Sequence, residues 1–332
     1  MLPPATCVDH SELPSLLSRP APCSRSPDLL NRHHDRRDNY DDGESSTDIM
    51  ATAELDFTTP SLFDVRGKVA VVTGGGSGIG SMIASAYVQN GAKVYIASRK
   101  EKQLKEMAEA LTKKGPGSCH YIVADISTKA GCDALADAIK QRESKVHILV
   151  NNSGASWGAP YDNVPEKEGW DKILSLNVKS VFYMTAALTP LLAKDATNFD
   201  PGRVINISSV AGLLTTAQES KLAGPDHGLW SYGTSKAALN HLTILLATTL
   251  AGKYITVNAI LPGVFPSKMT AFGLKQHGEA GLAEGNPFRR IGHPRDMAGV
   301  ALFLASPAGA YVSGTHIVLD GAATYSRTKA NL

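Results

Sequence analysis

Cysteine is scarce in this chain and nowhere paired. Its 332 residues hold only Cys7, Cys23, Cys119 and Cys132, without ligand-like spacing, which argues against a disulfide-stapled scaffold or a zinc site and fits reduced thiols in a cytosol-like compartment. Long apolar runs are missing as well. The most hydrophobic stretches are broken by Gly, Pro or charge well short of the roughly 20 residues that span a bilayer. Net charge is nearly absent: 33 Lys and Arg stand against 31 Asp and Glu, a formal +2. No global field therefore draws the chain to nucleic acid or to an anionic membrane.

Residues 1–60 lack sustained apolar periodicity. Pro, Ser and charge are mixed through this stretch, and it turns acidic at DNYDDGE, a composition that buries too little apolar surface to order itself. A disordered extension is expected over 1–60 and a short tail over 326–332. No basic start leads into a continuous apolar segment, as a signal peptide requires, and Asp9, Glu12 and Asp28 interrupt what would have to be an acid-poor transit peptide. The tract RHHDRR reads as a solvated charged segment, since acids flank it. A cytoplasmic protein is the expectation.

From residue 64 the texture changes. KVAVVTGG, KVYIASRK, CHYIVADI, HILVNNSG, RVINISSV, ITVNAILPG and HIVLDG are short runs rich in Val and Ile, most of them ending in Gly, Ser, Asn or Asp. Between them lie segments such as EKQLKEMAEALTKKG and CDALADAIKQRE, whose apolar residues fall at helical spacing. Strands apolar on both faces need helices on both sides, which predicts an α/β fold with a doubly wound, mostly parallel Rossmann-type sheet in a single domain over 64–325.

Such a sheet binds ligands beyond the carboxyl ends of its strands. Its first turn reads VVTGGGSGIGSMIA, placing Gly74, Gly78 and Gly80 between an apolar strand and a small-residue helix. Glycines there permit the tight turn and let the backbone approach a pyrophosphate, while the helix start offers free N–H groups. The strand before and the helix after turn a flexible-loop pattern into a dinucleotide site. The second strand ends in Ser98, Arg99 and Lys100, where an NAD site would normally present an acid to the ribose hydroxyls. Arg99 offers a planar fork to a 2'-phosphate and Ser98 a hydroxyl, so NADP is expected. A solvated basic turn is the bland reading of the same residues. Asp125, at the end of a third strand, reads either as a helix cap or as a group reaching adenine.

Within GLWSYGTSKAALNHLTILLA, Tyr232 precedes Lys236 by four positions, so phenol and ammonium share a helical face. A nearby cation is expected to lower the phenol's pKa and fit it for acid–base work. Alone, the pair would equally suit a tyrosine packed on a lysine stem.

Taken with TGGGSGIG at 73–80, NNSG at 151–154, SLNV around Asn177, NISSVAG around Ser209 and PG at 262–263 followed by Ser267, the pair resembles the short-chain dehydrogenase/reductase family of the classical type across residues 66–323. That resemblance implies a catalytic tetrad of Asn177, Ser209, Tyr232 and Lys236, with the backbone of Asn177 supporting a water that resupplies protons. It further implies cofactor contacts from Gly74, Ser77, Gly78, Ile79, Gly80, Ser98, Arg99, Lys100, Asp125, Ile126, Asn152, Gly154, Tyr232, Lys236, Pro262, Gly263, Val264 and Ser267, no metal, and a homodimer or homotetramer. Three of the four also have a structural reading: Ser209 as a cap, Asn177 as a satisfied amide, Tyr232 as a packed ring.

Departures from the pattern are instructive. Ser153 stands where an alanine is often found, and LDGA at 319–322 ends where many members carry a second glycine. Ser209 and Tyr232 are 23 positions apart, wider than the family's usual spacing, and the added LLTTAQESKLAGPDHGLW is either a tolerated surface excursion or part of the substrate pocket, with His227, Leu229 and Trp230 as possible lining groups. The later NAILPGVFPSKMTAFGL is similar to bacterial and fungal reductases of the 3-oxoacyl carrier-protein and rhamnolipid type, which implies NADPH-dependent reduction of a 3-oxoacyl thioester or related ketone. A reductase of a small soluble ketone, polyol or polyketide intermediate is the alternative, and an inactive nucleotide-binding interaction protein is the alternative of another class.

Overall fold

The computed structural model describes residues 55–218 and 220–326. The extension expected to be disordered lies outside the described residues up to position 54, but the expectation fails at its end, where a short helical turn with proline in its first turn, Thr59–Leu62, begins before residue 60. Seven strands follow: β1 Val69–Thr73, β2 Lys93–Ser98, β3 Ser118–Val123, β4 Ile148–Asn151, β5 Gly202–Ile207, β6 Ile255–Pro262 and β7 His316–Leu319. They make one parallel sheet of order β3-β2-β1-β4-β5-β6-β7. The principal helices are α1 Gly78–Gln89, α2 Glu101–Thr112, α3 Lys129–Lys140, α5 Trp230–Leu250, α6 Ala271–Ala283 and α7 Pro294–Ala305. Between α3 and α5, α4 runs through four joined segments, Glu166–Asp171, Lys172–Leu174, Ser175–Lys179 and Ser180–Ala193, the first and third wound to π geometry.

The expected doubly wound sheet is what forms, and β1 shows why. All five residues of VAVVT are buried, and because side chains alternate across a strand, Ala70 and Val72 enter one core while Val69 and Val71 enter the other. The first core gathers Ile83 and Tyr87 of α1 with Met297 and Leu304 of α7, and the Tyr87 hydroxyl donates to Ala301 O at 3.0 Å to tie the two helices. The second gathers Leu135 and Ile139 of α3, Met184 and Leu188 of α4, and Leu246 of α5.

At the amino ends of the strands sits a polar cluster. Arg203 is 1% exposed and donates to Asp200 Oδ1 (2.9 Å), Pro201 O (2.6 Å) and Ser306 O (3.3 Å), while Lys68 reaches the other oxygen of Asp200 at 2.5 Å. At the opposite end the strand order reverses. The β1 and β4 carboxyl ends diverge into separate loops there, which opens a crevice at the switch point.

Candidate active site

The crevice is a cavity of about 1740 Å³, larger than the roughly 300–1,000 Å³ of one small-molecule pocket and so roomy enough for two ligands side by side. Its floor is the β1–α1 turn. Gly74 takes φ +68°, and a Cβ there would meet Asn152 Nδ2 at 2.8 Å. Gly80 is held still more closely: a side chain would strike Gly74 O at 2.5 Å. Ser77 precedes α1 in extended conformation without capping it, so the helix start is left without a side-chain cap where Gly78 and Ile79 line the cavity, while Gly80 is buried behind them against Gly74. A backbone that no Cβ fills and a helix start that no side chain caps suit the phosphates of a dinucleotide.

Loops from the neighbouring strands complete this cradle. The Thr73 hydroxyl accepts from the backbone N–H groups of Asn152 and Ser153, both at 3.0 Å, and Asn152 Nδ2 donates to Thr73 O at 2.9 Å. Thr73 thus clamps the β1 and β4 loops together. A Cβ at Gly154 would lie 3.2 Å from Asn177 Oδ1 and 3.7 Å from Lys236 Nζ, which makes room for both groups. Ser98, Arg99, Lys100, Asp125 and Ile126 line one end of the cavity, and Pro262, Gly263, Val264 and Ser267 border it from the β6 side. Arg99 Nη1 stands 3.7 Å from Asp125 Oδ2, both side chains being exposed. Asp125 is not a helix cap: its Oδ1 accepts from Ser127 N at 3.0 Å, and Thr128 caps α3 through Gly131 N. That backbone bond is the main reason its carboxyl lies below the usual range, with Arg99 adding a smaller contribution.

The tetrad residues come together above the cradle. Asn177, fully buried in a π-wound segment of α4, accepts from Ala155 N and donates to Ala155 O and Ser235 Oγ, all at 2.9 Å. Ser235 in turn donates to Tyr232 O at 2.7 Å. The Asn177 side chain therefore fixes the β4 loop against α5, and wide π turns of this kind recur at functional sites. Ser209 caps the turn Val210–Gly212 by accepting from Ala211 N at 3.1 Å, and it is near enough to the Tyr232 phenol to draw the phenol's pKa downward. Lys236 is buried and donates to Ile207 O at 2.8 Å.

One expectation fails here. The phenol of Tyr232 is not lowered by its neighbour: burial raises it above the ordinary range, and the nearby Ser209 hydroxyl only opposes this. Lys236 moves the other way, pushed down to about 8 by burial. Low-dielectric surroundings disfavour the charged form of each group. Of the three possible lining groups in this segment, Leu229 and Trp230 line the cavity and His227 does not; its Nδ1 lies 2.6 Å from Pro225 O within its own turn.

Three contributors carry no signal of their own in the sequence. Thr73 and Ser235 lie inside motifs whose glycines and tyrosine are the residues that stand out. Lys268, beside Ser267, reaches across to Gln103 Oε1 of α2 at 3.1 Å, a contact that no local pattern announces.

Comparison with known proteins places this geometry. The family profile described as enoyl-(acyl carrier protein) reductase matches residues 74–324. The rhamnolipids biosynthesis 3-oxoacyl-(acyl-carrier-protein) reductase of Pseudomonas aeruginosa is 42% identical over 261 residues, which cover 78% of this chain and 97% of that protein. The 7alpha-hydroxysteroid dehydrogenase of Escherichia coli is 32% identical over 255 residues, 77% of this chain and 93% of its own length. Among solved structures, the Pseudomonas aeruginosa RhlG/NADP active-site complex superposes with a TM-score of 0.73 at 40% identity, covering 79% of this chain and 98% of that one.

Proposed function

This chain belongs to the short-chain dehydrogenase/reductase family, and from that membership we propose that it reduces the keto group of a 3-oxoacyl thioester, or a related ketone, to a secondary alcohol at the expense of NADPH. The observation that carries the reading is the convergence of Ser209, Tyr232 and Lys236 on one cavity with an uncapped glycine cradle. When bound, NADPH supplies the hydride. The cradle from Gly74 to Gly80, with Arg99 at the far end, would hold it, and Asn152 and Gly154 would flank it.

The remaining work falls to side chains. Ser209 and Tyr232 hydrogen-bond the carbonyl oxygen and stabilise the negative charge that develops on it. Tyr232, whose raised pKa keeps it protonated at neutral pH, delivers its proton to that oxygen. Lys236 holds a positive charge beneath the phenol and eases the transient loss of that proton. Asn177 positions: by fixing Ala155 and, through Ser235, the turn of α5 that carries Tyr232, it keeps donor and cradle in register.

The working unit is residues 64–325, acting in the cytoplasm as a homodimer or homotetramer. Buried free thiols at Cys119 and Cys132 support an unoxidised setting. No helix among the described residues is long and apolar enough to cross a membrane. Ile244 and Leu245 of α5 and Phe182 of α4 are exposed, an apolar surface of the kind that association covers. NADPH oxidation measured against 3-oxoacyl thioesters, hydroxysteroid-derived ketones and sugars tests the reading. Turnover confined to steroids or sugars would move the substrate class elsewhere.

A further inference from the structure

The segment between Ser209 and Tyr232 has an inner and an outer side. Leu214, Ala217, Leu222, Leu229 and Trp230 line the cavity and are partly covered, as is Ser220, whereas Thr215, Thr216, Gln218 and Lys221 line it but are exposed. Both ends are pinned. Leu229 N donates to Ala217 O at 2.9 Å, and Gly228 pairs antiparallel with Ala159 through bonds of 2.8 and 3.2 Å. The Trp230 indole donates to the same Ala159 carbonyl at 3.2 Å and packs edge-on against Tyr161.

Its middle reaches across to α6. Lys221 Nζ donates to Gly281 O at 2.8 Å and to Glu284 Oε2 at 3.1 Å. Next to it, Leu222 fills a notch that exists because residue 273 is glycine. A Cβ at Gly273 would stand 2.7 Å from Lys221 O and 2.9 Å from Leu222 Cδ2, with Leu282 Cδ2 at 3.4 Å on the other side. None of these contacts involves the tetrad or the glycine cradle. Trp230 nevertheless opens the helix that carries Tyr232 two residues later, so the anchored segment and the reacting centre share one rigid element.

We propose that residues 213–218 and 220–229 are a specificity element that roofs the substrate side of the cavity, latched to α6 by Leu222 in the Gly273 notch, and that the roofed compartment takes the apolar chain attached to the reacting ketone. The inference rests on the reductase reading given above and extends it to the part of the substrate remote from the carbonyl. An apolar inner face pinned at both ends and in the middle is built to exclude water from an apolar occupant. A small polar ketone gains nothing from such a roof.

The test compares Leu222→Ala and Gly273→Ala with the parent, using 3-oxodecanoyl-CoA and acetoacetyl-CoA as substrates, NADPH titration, melting curves and timed trypsin cleavage after Lys221. Undocking the roof is expected to raise KM for 3-oxodecanoyl-CoA about tenfold, against about twofold for acetoacetyl-CoA. NADPH binding should stay at the parental value, and cleavage after Lys221 should accelerate in both variants. Folded variants that keep the parental KM for the long chain, or that raise KM equally for both thioesters, overturn the proposal. Should Gly273→Ala fold poorly, Leu222→Ala decides alone, since it only shortens a partly exposed side chain. A parent that reduces neither thioester overturns the substrate reading and the proposed occupant with it. The cleavage rates need no substrate, so they still decide whether the roof is docked.

Discussion

Lys236 Nζ lies 5.7 Å from the centre of the Tyr232 ring and donates to the Ile207 carbonyl rather than to the phenol. The ammonium loses its proton near pH 8 because it is buried, while the phenol, raised by burial, keeps its own. Reductive turnover is therefore expected to hold level through neutrality and to fall as pH rises through about 8, when the charge supporting the phenol disappears. A kcat profile that stays level well beyond pH 8 contradicts this. Stability moves oppositely. An unfolded lysine keeps its proton up to about 10.5 whereas the folded one releases it near 8, so the unfolded state binds more protons in that window and stability contributed by this group rises with pH across it.

His147 predicts acid sensitivity at the other end of the sheet. Its Nδ1 accepts from Val69 N at 3.0 Å, which requires the neutral ring, and burial, seconded by Lys68 and Lys145 against the opposing Asp200, pushes its pKa from 6.5 down to about 4. Because the folded pKa is depressed, the contribution is whole above pH 6.5 and drains away as pH falls towards 4. Melting temperatures across that range should decline less steeply for His147→Asn than for the parent. Parallel declines would show that the ring does not titrate as described.

Ala322 sits at φ +65°, the left-handed region that costs an L-residue about 1–2 kcal/mol. This is the position where the resemblance leads one to expect glycine. Ala322→Gly removes that strain and gives back part of it through the freer unfolded chain, so a net gain of about 0.5–1 kcal/mol and a rise of about 1–4 °C in Tm are expected. A fall in Tm would mean that the conformation is not strained.

Arg99 should set the cofactor preference. Its guanidinium is well exposed and already faces Asp125 at 3.7 Å, so screening and a competing carboxylate both limit its pull on a 2'-phosphate. Arg99→Ala is expected to weaken NADPH by about tenfold, or about 1.4 kcal/mol, and NADH far less. Binding titrations that show equal losses for the two cofactors would remove Arg99 from that role.

Much of this molecule was legible in its sequence because the signals were local. All seven apolar runs became strands, since Val- and Ile-rich segments closed by Gly, Ser or Asn suit burial between two helical layers. The glycines at 74, 78 and 80 announced a turn that no side chain could enter. What stayed hidden was burial and reach across the chain. Spacing placed Tyr232 and Lys236 on one face but said nothing of how deeply both would be buried, and so gave the wrong sign for the phenol's shift. His227 was near the pocket in sequence, yet its ring turns to Pro225. The docking of Leu222 on Gly273 joins residues 51 positions apart in segments without periodicity, and only the folded chain brings them together.

The most direct measurement is NADPH oxidation with a 3-oxoacyl thioester by the parent and by Tyr232→Phe, with melting curves alongside. Removing the phenol's proton while keeping its ring should leave the fold intact and lower kcat by about a hundredfold or more. A folded Tyr232→Phe protein that reduces the thioester at a rate close to the parent's would contradict the assignment of Tyr232 as the proton donor.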